Sequence, residues 1–348
     1  MIDYKKHLII TKSSLKVALS QLSKLGIDAI LFVVDAEDRL LGSITDGDVR
    51  RGLVAGIVID DLVDKLIRGN PKHIVKGHYD LNQVIAYRKK GFRIIPVLDK
   101  DHSVISIINF RSTHSYLPVD AVLMGGGKGL RLRPLTEKTP KPLLPVGGKS
   151  IIKHNLDRLI SFGIDDFWIS INYLGRQIEK KLGDGSDKNV TINYVRENKP
   201  LGTIGAISSI KKFQHEHILV SNSDILTNLN YEDFYLQFLK EEADMAIVTI
   251  PYQVNIPCAV METENELVTS FKEKPTFTYY SNGGIYLIKK SVLALIPAET
   301  FFNATDLMER LIADKKKVLS YPMVGYWLDI GNHEDYKKAN LDIDQIKF

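Results

Sequence analysis

The hydrophobic pattern of the first third of the chain occurs twice between Leu8 and about His114. In each copy, an amphipathic helix precedes an apolar strand, a short polar turn and a second strand. The first copy has its helix at Leu15–Leu25, strands at 29–34 and up to Ile44, and a turn at 35–38. The second has a helix after Asp80, strands at 93–98 and 104–108, and a turn at 99–102. Because one copy alone would leave a sheet face uncovered, we expect the two to pack together.

A different pattern follows residues 112–120, where the periodicity is lost and we place a linker. Apolar strands then alternate with helices, which predicts an α/β domain with a mainly parallel, doubly wound, Rossmann-like sheet. The predicted strands are 121–124, 167–173, 190–195 and 218–220, and the predicted helices are 151–162 (N-cap Ser150), 177–182 and 204–213. We therefore expect domains at 1–115 and 118–348, with ligands at the carboxyl ends of the second domain's strands.

The segment from Val122 to Ser150 concentrates glycines and cationic side chains directly after a predicted strand. Backbone N–H groups and positive charge at a strand end are suited to holding a polyphosphate. A Rossmann fingerprint fails because its last glycine would fall on Leu130 or Leu132, and a Walker A loop fails because Leu143 stands where its first glycine belongs. An ordinary glycine-rich turn with solvated lysines is the alternative.

The complete segment resembles the signature of the sugar-1-phosphate nucleotidyltransferases, G-x-G-x-R-L-x-P-x-T followed by P-K-x-L-L-P-V. The matching residues are Gly127, Gly129, Arg131, Leu132, Pro134, Thr136, Pro140, Lys141, Leu143, Leu144, Pro145 and Val146. Gly125 and Ser150 depart from the usual alanine and proline. The resemblance implies an enzyme that joins a nucleoside triphosphate to a sugar 1-phosphate and releases pyrophosphate.

Cations would carry this reaction, because its nucleophile is already an anion and two polyanions must meet. Arg131 can grip the triphosphate as a planar fork, and Lys141 can act as a point charge on phosphate. Mg²⁺ needs carboxylate ligands, and Asp224 and Asp329 match the family's metal-binding aspartates in its N-x-D and W-x-D-x-G segments. Without the resemblance, Arg131 or Lys141 could be solvated, and Asp224 could be a turn residue.

Nucleotide recognition is expected from the glycine loop and from the segment 197–203, which resembles the family's E-x-x-P-L-G-T. The expected nucleotide-binding residues are Met124, Gly125, Gly126, Gly127, Lys128, Gly129, Glu197, Pro200, Gly202 and Thr203. A carboxylate at Glu197 can accept hydrogen bonds from N1–H and the exocyclic amine of guanine, which favours GTP. A surface acid at the end of a strand is the alternative.

Sugar recognition is expected from segments that match the family's E-K-P and N-x-G. The residues concerned are Glu273, Lys274, Asn282, Gly283 and Gly284, with Asn172 as a further contact. The carboxylate and amides can bind hydroxyls, Lys274 can bind phosphate, and the glycines let the backbone approach the sugar ring.

The repeated front half resembles a tandem of CBS domains, modules that bind adenine nucleotides in many enzymes. The resemblance depends on residues 42–51, GSITDGDVRR, which match G-x-I-T-x-x-D. Thr45, Asp46 and Asp48 would then form a ligand site for an adenine or guanine nucleotide. By sequence alignment the second copy has Ile108 and Arg111 at the equivalents of Thr45 and Asp48, so at most one ribose site is expected. The alternative is that Thr45 and Asp48 only cap a helix.

Composition narrows the class of protein. A single cysteine, Cys258, excludes an internal disulfide and suits a reducing compartment. The first residues do not read as a signal peptide, and no stretch reaches the ~20 apolar residues of a membrane span. With a net charge of +4 and dispersed lysines, no nucleic-acid face is evident. We expect a cytoplasmic homo-oligomer that binds neither membrane nor nucleic acid.

The combination of a CBS pair with this transferase domain resembles the bacterial guanylyltransferases that act on glucosamine 1-phosphate in legionaminic acid synthesis. Mannose- or heptose-1-phosphate guanylyltransferases, and uridylyl- or thymidylyltransferases, are alternatives. A catalytically inactive, nucleotide-binding regulatory protein is the alternative from a different class.

Overall fold

The computed structural model describes residues 3–346, and these form two compact units. Unit 1 contains the described residues up to Pro118 together with Ile160–Ile164, and unit 2 contains the remainder. The elements of unit 1 are β1 (Leu8–Ile10), α1 (Leu15–Leu25), β2 (Ile30–Val34), β3 (Leu40–Thr45), α2 (Asp46–Val54), β4 (Arg68–Gly69), β5 (Ile74–Val75), α3 (Leu81–Lys89), β6 (Ile94–Leu98) and β7 (Val104–Asn109).

Unit 1 is built from two copies of one strand arrangement. One sheet has the order β1-β2-β3-β4 and the other β5-β6-β7. In each sheet the first strand is parallel to the second, and the second is antiparallel to the third. Both hairpins even carry a register shift at the same place, between Val33 and Val34 in the first and between Val97 and Leu98 in the second. The predicted internal repeat is therefore present in the backbone.

The two copies meet through their hairpin turns in a pseudo-symmetric contact. Leu40 N–H donates to the His102 carbonyl at 3.1 Å, and the equivalent Val104 N–H donates to the Asp38 carbonyl at 2.9 Å. Asp38 and His102 both have a positive φ, of 60° and 64°. Beside this contact lies a small apolar cluster that contains Val34, Leu98 and Val104. Each turn thus pairs with the backbone of the other copy.

The hairpin register corrects the alignment of the two copies. Thr45 pairs with Ile30 in the first copy, and Asn109 pairs with Ile94 at the same place in the second. Asn109, and not Ile108, is therefore the structural equivalent of Thr45. By the same count Ser112, and not Arg111, corresponds to Asp48. Each paired residue of the second hairpin lies 64 positions after its counterpart in the first, so the two copies align without a gap and the alignment made from the sequence was one residue out of register.

Unit 2 begins with the strand that leads into the glycine loop. Its elements are β8 (Val119–Met124), β9 (Pro145–Val146), β10 (Lys149–Ser150), α4 (Ile151–Ser161), β11 (Asp166–Ile171), α5 (Gly175–Leu182), β12 (Thr191–Arg196), β13 (His217–Asn222), β14 (Ile225–Thr227), α6 (Tyr231–Lys240), β15 (Met245–Asn255), β16 (Val260–Glu264), β17 (Leu267–Lys272), β18 (Thr276–Lys289), α7 (Ala304–Ala313), β19 (Val318–Pro322), β20 (Trp327–Asp329) and α8 (His333–Asp342).

A seven-stranded sheet of order β12-β11-β8-β13-β18-β15-β19 forms the centre of unit 2. Strands β12, β11, β8 and β13 are parallel, whereas β18 runs antiparallel to both of its neighbours. The prediction of a mainly parallel α/β sheet is confirmed. Buried residues of β13, β15, β18 and α7 form a large core on this sheet. The carboxyl ends of β8, β11 and β13 lie side by side, which gathers the loops that follow them.

Two local predictions are wrong. Residues 204–213 do not form an α-helix but a short 3₁₀ turn at Gly205–Ser209, and the N–H groups of Ile204 and Gly205 donate to the Phe302 carbonyl. Ser150 is not an N-cap. It lies in β10, and its buried hydroxyl makes no hydrogen bond. The segment 204–213 thus bonds to a distant carbonyl, whereas Ser150 pairs locally with Pro145 in the β9–β10 hairpin.

Within residues 3–346, no helix combines the length and the apolar character that a bilayer crossing would require.

Candidate active site

A cavity of about 290 Å³ opens at the carboxyl ends of β8 and β13 in unit 2. Its wall is formed by the glycine loop, the 3₁₀ turn that contains Lys141, the loop after β12 and the residues after β13. The lining residues are Met124, Gly125, Gly126, Gly127, Lys141, Pro142, Glu197, Pro200, Leu201, Gly202, Thr203, Asn222, Ser223, Asp224 and Phe301. Backbone amides, one cation and two acids therefore meet in a single recess.

The glycine loop fits closely against the neighbouring strand β11 and the loop after β12. Gly125 N–H donates to the Ser170 carbonyl at 2.9 Å, and a Cβ added at Gly125 would lie 3.0 Å from that oxygen. A Cβ added at Gly126 would lie 2.8 Å from Glu197 Oε1. The loop backbone therefore lies close against the Ser170 carbonyl and the Glu197 carboxylate, with little space for a side chain at Gly125 or Gly126.

Lys141 joins the two predicted metal-binding acids. Its ammonium group donates to Asp224 Oδ2 and lies 3.8 Å from Asp329 Oδ1. The acids are brought together by the short antiparallel pair β14–β20, in which Ile225 pairs with Asp329. Asp224 directly precedes Ile225, the residue that pairs with Asp329, so the two acids lie near each other although they are far apart in sequence.

The electrostatics of this group suit a divalent cation. Burial is the main factor that raises the pKa of Asp329, and the charge of Asp224 raises it further, against the opposing effects of Lys141 and Arg131. Asp224 Oδ1 and Asp329 Oδ1 are buried and accept no hydrogen bond from residues 3–346. Two adjacent carboxylate oxygens without donors are ligands of the kind that Mg²⁺ binds, so these residues fit the predicted cofactor.

Arg131 lies beside this group but does not line the cavity. Its guanidinium group packs over Gly331, where an added Cβ would lie 3.1 Å from Nη2. Its charge opposes the rise in the pKa of Asp329. The Arg131 side chain is exposed, which leaves its fork of N–H donors accessible to an anion.

Glu197 organises the loop after β12. Ser170 Oγ donates to its Oε1, and Leu201 N–H donates to its Oε2 at 3.0 Å. The loop is fixed further by Thr203, whose N–H donates to Asn303 Oδ1 at 3.2 Å. Each carboxylate oxygen of Glu197 therefore already accepts one bond from the chain and keeps one lone pair for a ligand.

The predicted sugar-binding residues do not line the cavity. Asn282 Oδ1 accepts hydrogen bonds from Gly284 N–H at 2.9 Å and from the Tyr286 hydroxyl at 3.0 Å, and so shapes the backbone there. The Gly283 carbonyl accepts from Trp327 Nε1. A Cβ added at Gly126 would lie 3.3 Å from Asn172 Cβ, so Asn172 is adjacent to the glycine loop.

Glu273 and Lys274 are exposed in the turn between β17 and β18. Lys274 has a positive φ of 43°. Lys128 and Gly129 also lie outside the cavity wall, although Gly129 shapes the loop because its carbonyl accepts from Thr136 Oγ1 at 2.7 Å. Several residues of the wall were not predicted as site residues from the sequence, namely Pro142, Leu201, Asn222, Ser223 and Phe301. Of these, only Asn222 and Ser223 could have been predicted, because they lie at the end of a strand.

In unit 1, the structure shows the capping role of Thr45 and Asp48. They form a reciprocal capping box at the start of α2, and Asp48 is also paired with Arg51 at 2.7 Å and Arg68 at 2.5 Å. Thr45 and Asp46 line a separate cavity of about 490 Å³ together with Gly47 and Arg93, whereas Asp48 does not. Asp48 is 6% exposed, so its carboxylate is used within the protein.

Comparison with known proteins agrees with this geometry. Residues 120–346 match the family described as Nucleotidyl transferase, and residues 9–55 match the CBS domain. Mannose-1-phosphate guanylyltransferase of Mycobacterium tuberculosis is 33% identical over 233 residues, which are 65% of this chain and 64% of that protein. The chain thus spans a little under two thirds of that relative's length.

Two other similarities cover nearly the whole of the other protein. D-glycero-alpha-D-manno-heptose 1-phosphate guanylyltransferase of Aneurinibacillus thermoaerophilus is 29% identical over 231 residues, which are 65% of this chain and 98% of that enzyme. The crystal structure of HddC from Yersinia pseudotuberculosis superposes with a TM-score of 0.51 at 26% identity, over 65% of this chain and 99% of that one. Since the family match spans most of the sequence, this protein belongs to the nucleotidyl transferase family and has a CBS region ahead of the family's domain.

Proposed function

We propose that unit 2 transfers a guanylyl group from GTP to a sugar 1-phosphate and releases pyrophosphate, with Mg²⁺ as cofactor. The observation that carries the proposal is the group formed by Lys141, Asp224 and Asp329 at a cavity walled by glycine backbone. It combines a cation for phosphate, two acids for a metal ion and N–H groups for a polyphosphate. An ion pair that only stabilised the fold would not require a cavity beside it.

In the proposed reaction, the sugar phosphate oxygen attacks the α-phosphorus of GTP, and the bond from that phosphorus to the bridging oxygen of pyrophosphate breaks. The N–H groups of Gly126 and Gly127 bind the triphosphate. Lys141 neutralises charge on the two phosphates that must approach each other. Arg131, held over Gly331, binds the leaving pyrophosphate.

The two acids hold the metal ion. Asp224 and Asp329 would hold Mg²⁺, which when bound would supply positive charge to the phosphate oxygens. Asp224 is fixed by Lys141, and Asp329 is fixed by the pairing of β20 with β14. The nucleophile is already an anion, so no side chain has to act as a general base.

Recognition of guanine is assigned to Glu197 at the far wall of the cavity. Its remaining lone pairs can accept the two adjacent donors of guanine, which uracil and thymine lack. The two curated relatives are both guanylyltransferases, which supports this choice of base.

For the acceptor, we infer glucosamine 1-phosphate from the arrangement of a CBS region ahead of the transferase, as in legionaminic acid precursor synthesis. The relatives' names favour mannose 1-phosphate and D-glycero-α-D-manno-heptose 1-phosphate instead. Glu273 and Lys274 in the β17–β18 turn, with Asn172 and residues 282–284, are the proposed sugar-binding residues.

The test is pyrophosphate release from the full-length protein with each of four nucleoside triphosphates and a panel of sugar 1-phosphates. We expect release with GTP and glucosamine 1-phosphate, and loss of release in Lys141→Met. The matched control is Lys149→Met, which removes a lysine paired with Asp157 outside the cavity. If no pair of substrates releases pyrophosphate, the protein is a nucleotide-binding regulator and the proposal is wrong.

We propose, separately, that an adenine or guanine nucleotide binds unit 1 as an effector. The support is the cavity of about 490 Å³ at the start of α2, where Arg93 provides a cation for phosphate, and Thr45 and Asp46 provide polar atoms for ribose. Calorimetric titration of AMP and GDP into the full-length protein and into Arg93→Ala tests this. Binding that Arg93→Ala does not weaken, or no binding at all, would leave unit 1 as a scaffold.

A further inference from the structure

A second group of potential metal ligands lies at the amino-terminal ends of central strands of the seven-stranded sheet, whereas the cavity lies at their carboxyl ends. Asp120, Asp166 and His215 each offer one ligand atom, and these atoms all lie within 4.8 Å of one another. The three residues are buried, with exposed fractions of 0%, 8% and 8%. They belong to none of the proposed substrate or Mg²⁺ contacts. From this group we propose a zinc-binding site in unit 2.

The fold brings the three residues together at the amino-terminal ends of adjacent strands. Strand β8 lies between β11 and β13 and is parallel to both. Because Phe167 pairs with Ala121, Asp166 stands opposite Asp120 on the neighbouring strand. His215 comes two residues before β13. The acids of the proposed Mg²⁺ site lie after the opposite, carboxyl end of β13, so the two sites are distinct.

His215 is held in place, but its Nδ1 atom lacks a hydrogen bond. The Asp120 carboxylate accepts the His215 N–H at 2.8 Å and the Gln214 N–H at 3.3 Å, which fixes the backbone beside the ring. Nδ1 of His215 is buried and faces Asp120 Oδ2 without a hydrogen bond. A buried ring nitrogen without a hydrogen-bond partner is expensive, and coordination of a cation would satisfy it.

The distance between two of the ligand atoms is compatible with tetrahedral zinc. His215 Nδ1 and Asp120 Oδ2 are 3.4 Å apart. Zinc bonds of about 2.0–2.2 Å in tetrahedral geometry place neighbouring ligand atoms about 3.4 Å apart. Octahedral Mg²⁺, with bonds of about 2.0–2.1 Å, would require about 2.9 Å. A nitrogen ligand also suits zinc far better than magnesium.

Three protein ligands leave a fourth position for water. Ligand atoms that lie as much as 4.8 Å apart would have to approach each other by about 1.4 Å to reach the spacing of a tetrahedral zinc site. We expect the zinc ion to link β11, β8 and β13 at their amino-terminal ends and so to stabilise the sheet there.

His215 and His217 are two residues apart in the sequence, but only His215 belongs to this group. His217 is not part of the group, since its Nδ1 is hydrogen-bonded to the Tyr235 hydroxyl at 2.8 Å. The other two ligands are Asp120 and Asp166 from neighbouring strands, and not a second histidine. His217 therefore offers a matched control for His215.

The experiment uses the full-length protein, stripped with a chelator, loaded with one equivalent of Zn²⁺ under saturating Mg²⁺ and desalted. Metal analysis is expected to give about one zinc per wild-type chain, and Co²⁺ loading is expected to give the visible absorption of a tetrahedral site. The zinc-loaded protein should unfold several degrees higher than the stripped protein. Asp224→Asn should keep the zinc, because its carboxylate belongs to the other site.

His215→Gln should retain less than about a tenth of the zinc, while His217→Gln retains it. Asp166→Asn provides a second ligand variant should His215→Gln fail to fold, and it should also lose the zinc. A wild-type chain without zinc or cobalt absorption would overturn the proposal and leave a metal-free Asp–His–Asp ion group. Zinc lost from Asp224→Asn but kept by His215→Gln would overturn it as well.

Discussion

Lys141 forms an ion pair with Asp224 at the mouth of the cavity, and this pair is only 12% and 23% exposed at its two side chains. Asp329 lies 3.8 Å from the same ammonium group. Lys141 therefore neutralises two acids at once. Its removal would leave the two carboxylates facing each other without a cation, besides removing a charge from the phosphates.

We expect Lys141→Met to lower kcat/KM by about 10²–10³-fold, because one charge that stabilises the transition state is lost. It should also lower the melting temperature in metal-free buffer, and added Mg²⁺ should restore part of that loss. Pyrophosphate release and differential scanning calorimetry measure the two effects. In Lys149→Met, which leaves this group intact, kcat/KM should stay unchanged. If Lys141→Met kept full activity, Lys141 would have no part in the proposed mechanism.

Asp329→Asn tests the metal role of the second acid. The substitution keeps the size of the side chain but removes the charge that binds Mg²⁺. We expect the Mg²⁺ concentration for half-maximal activity to rise about 10–100-fold. Magnesium titration of the initial rate measures it, with Asp187→Asn as an exposed control outside the cavity. An unchanged magnesium dependence would mean that Asp329 is not a ligand.

Glu197→Gln tests recognition of the base. The amide oxygen can still accept the Leu201 N–H, so the loop should keep its shape, but the paired acceptor for guanine is lost. We expect kcat/KM for GTP to fall about 10–100-fold, and much less for UTP. Glu179→Gln is the matched control, since that acid pairs with Arg196 on the surface. Equal losses with every nucleotide would indicate a purely structural Glu197.

The two acids illustrate how far the sequence could predict the site. Their strand-end motifs identified Asp224 and Asp329, but the motifs could not show that β14 and β20 pair so that both acids meet Lys141. That pairing depends on contacts between segments about a hundred residues apart. The alternation of strands and helices was enough to predict the parallel sheet, because the hydrophobic periodicities of strands and of helices are local properties of the chain.

Local patterns failed where long-range bonds decide the structure. The segment 204–213 has helical periodicity, but it forms only a 3₁₀ turn, and the N–H groups of Ile204 and Gly205 bond to the distant Phe302 carbonyl. The match between Thr45 and Asn109 is a constant offset of 64 residues between the two hairpins, and the sequence alignment missed it by one residue. Phe301 gave no signal, because an exposed aromatic residue in a loop belongs to no motif.

Phe301 lines the cavity although its side chain is 59% exposed. An aromatic ring at the mouth of a nucleotide cavity can stack on the base. We expect Phe301→Ala to raise KM for GTP about tenfold while kcat stays within twofold, because stacking acts on binding and not on transfer. Steady-state kinetics measure both, and Phe271→Ala, an exposed ring on β17, is the control. A fall in kcat without a change in KM would contradict stacking.

Asp48 provides a pH-dependent prediction for unit 1. Burial alone would raise the pKa of its carboxyl, but hydrogen bonds from Thr45 and Arg51, together with the charge of Arg68, outweigh burial and lower the pKa. A carboxyl with a lowered pKa stabilises the folded state above the pKa of the unfolded chain. This stabilisation is lost as the pH falls through the lower, folded pKa.

Asp48→Asn should therefore lower the local stability of α2 by about 1–2 kcal/mol at pH 7. The difference from wild type should shrink as the pH falls below about 4, where the wild-type carboxyl becomes protonated. Hydrogen exchange of the peptides that cover α2 measures this stability without reporting on unit 2. Asp46→Asn is the control, because Asp46 forms only an exposed ion pair with Arg50 at 3.3 Å. A difference between Asp48→Asn and wild type that stays constant with pH would show that capping geometry, and not charge, carries the effect.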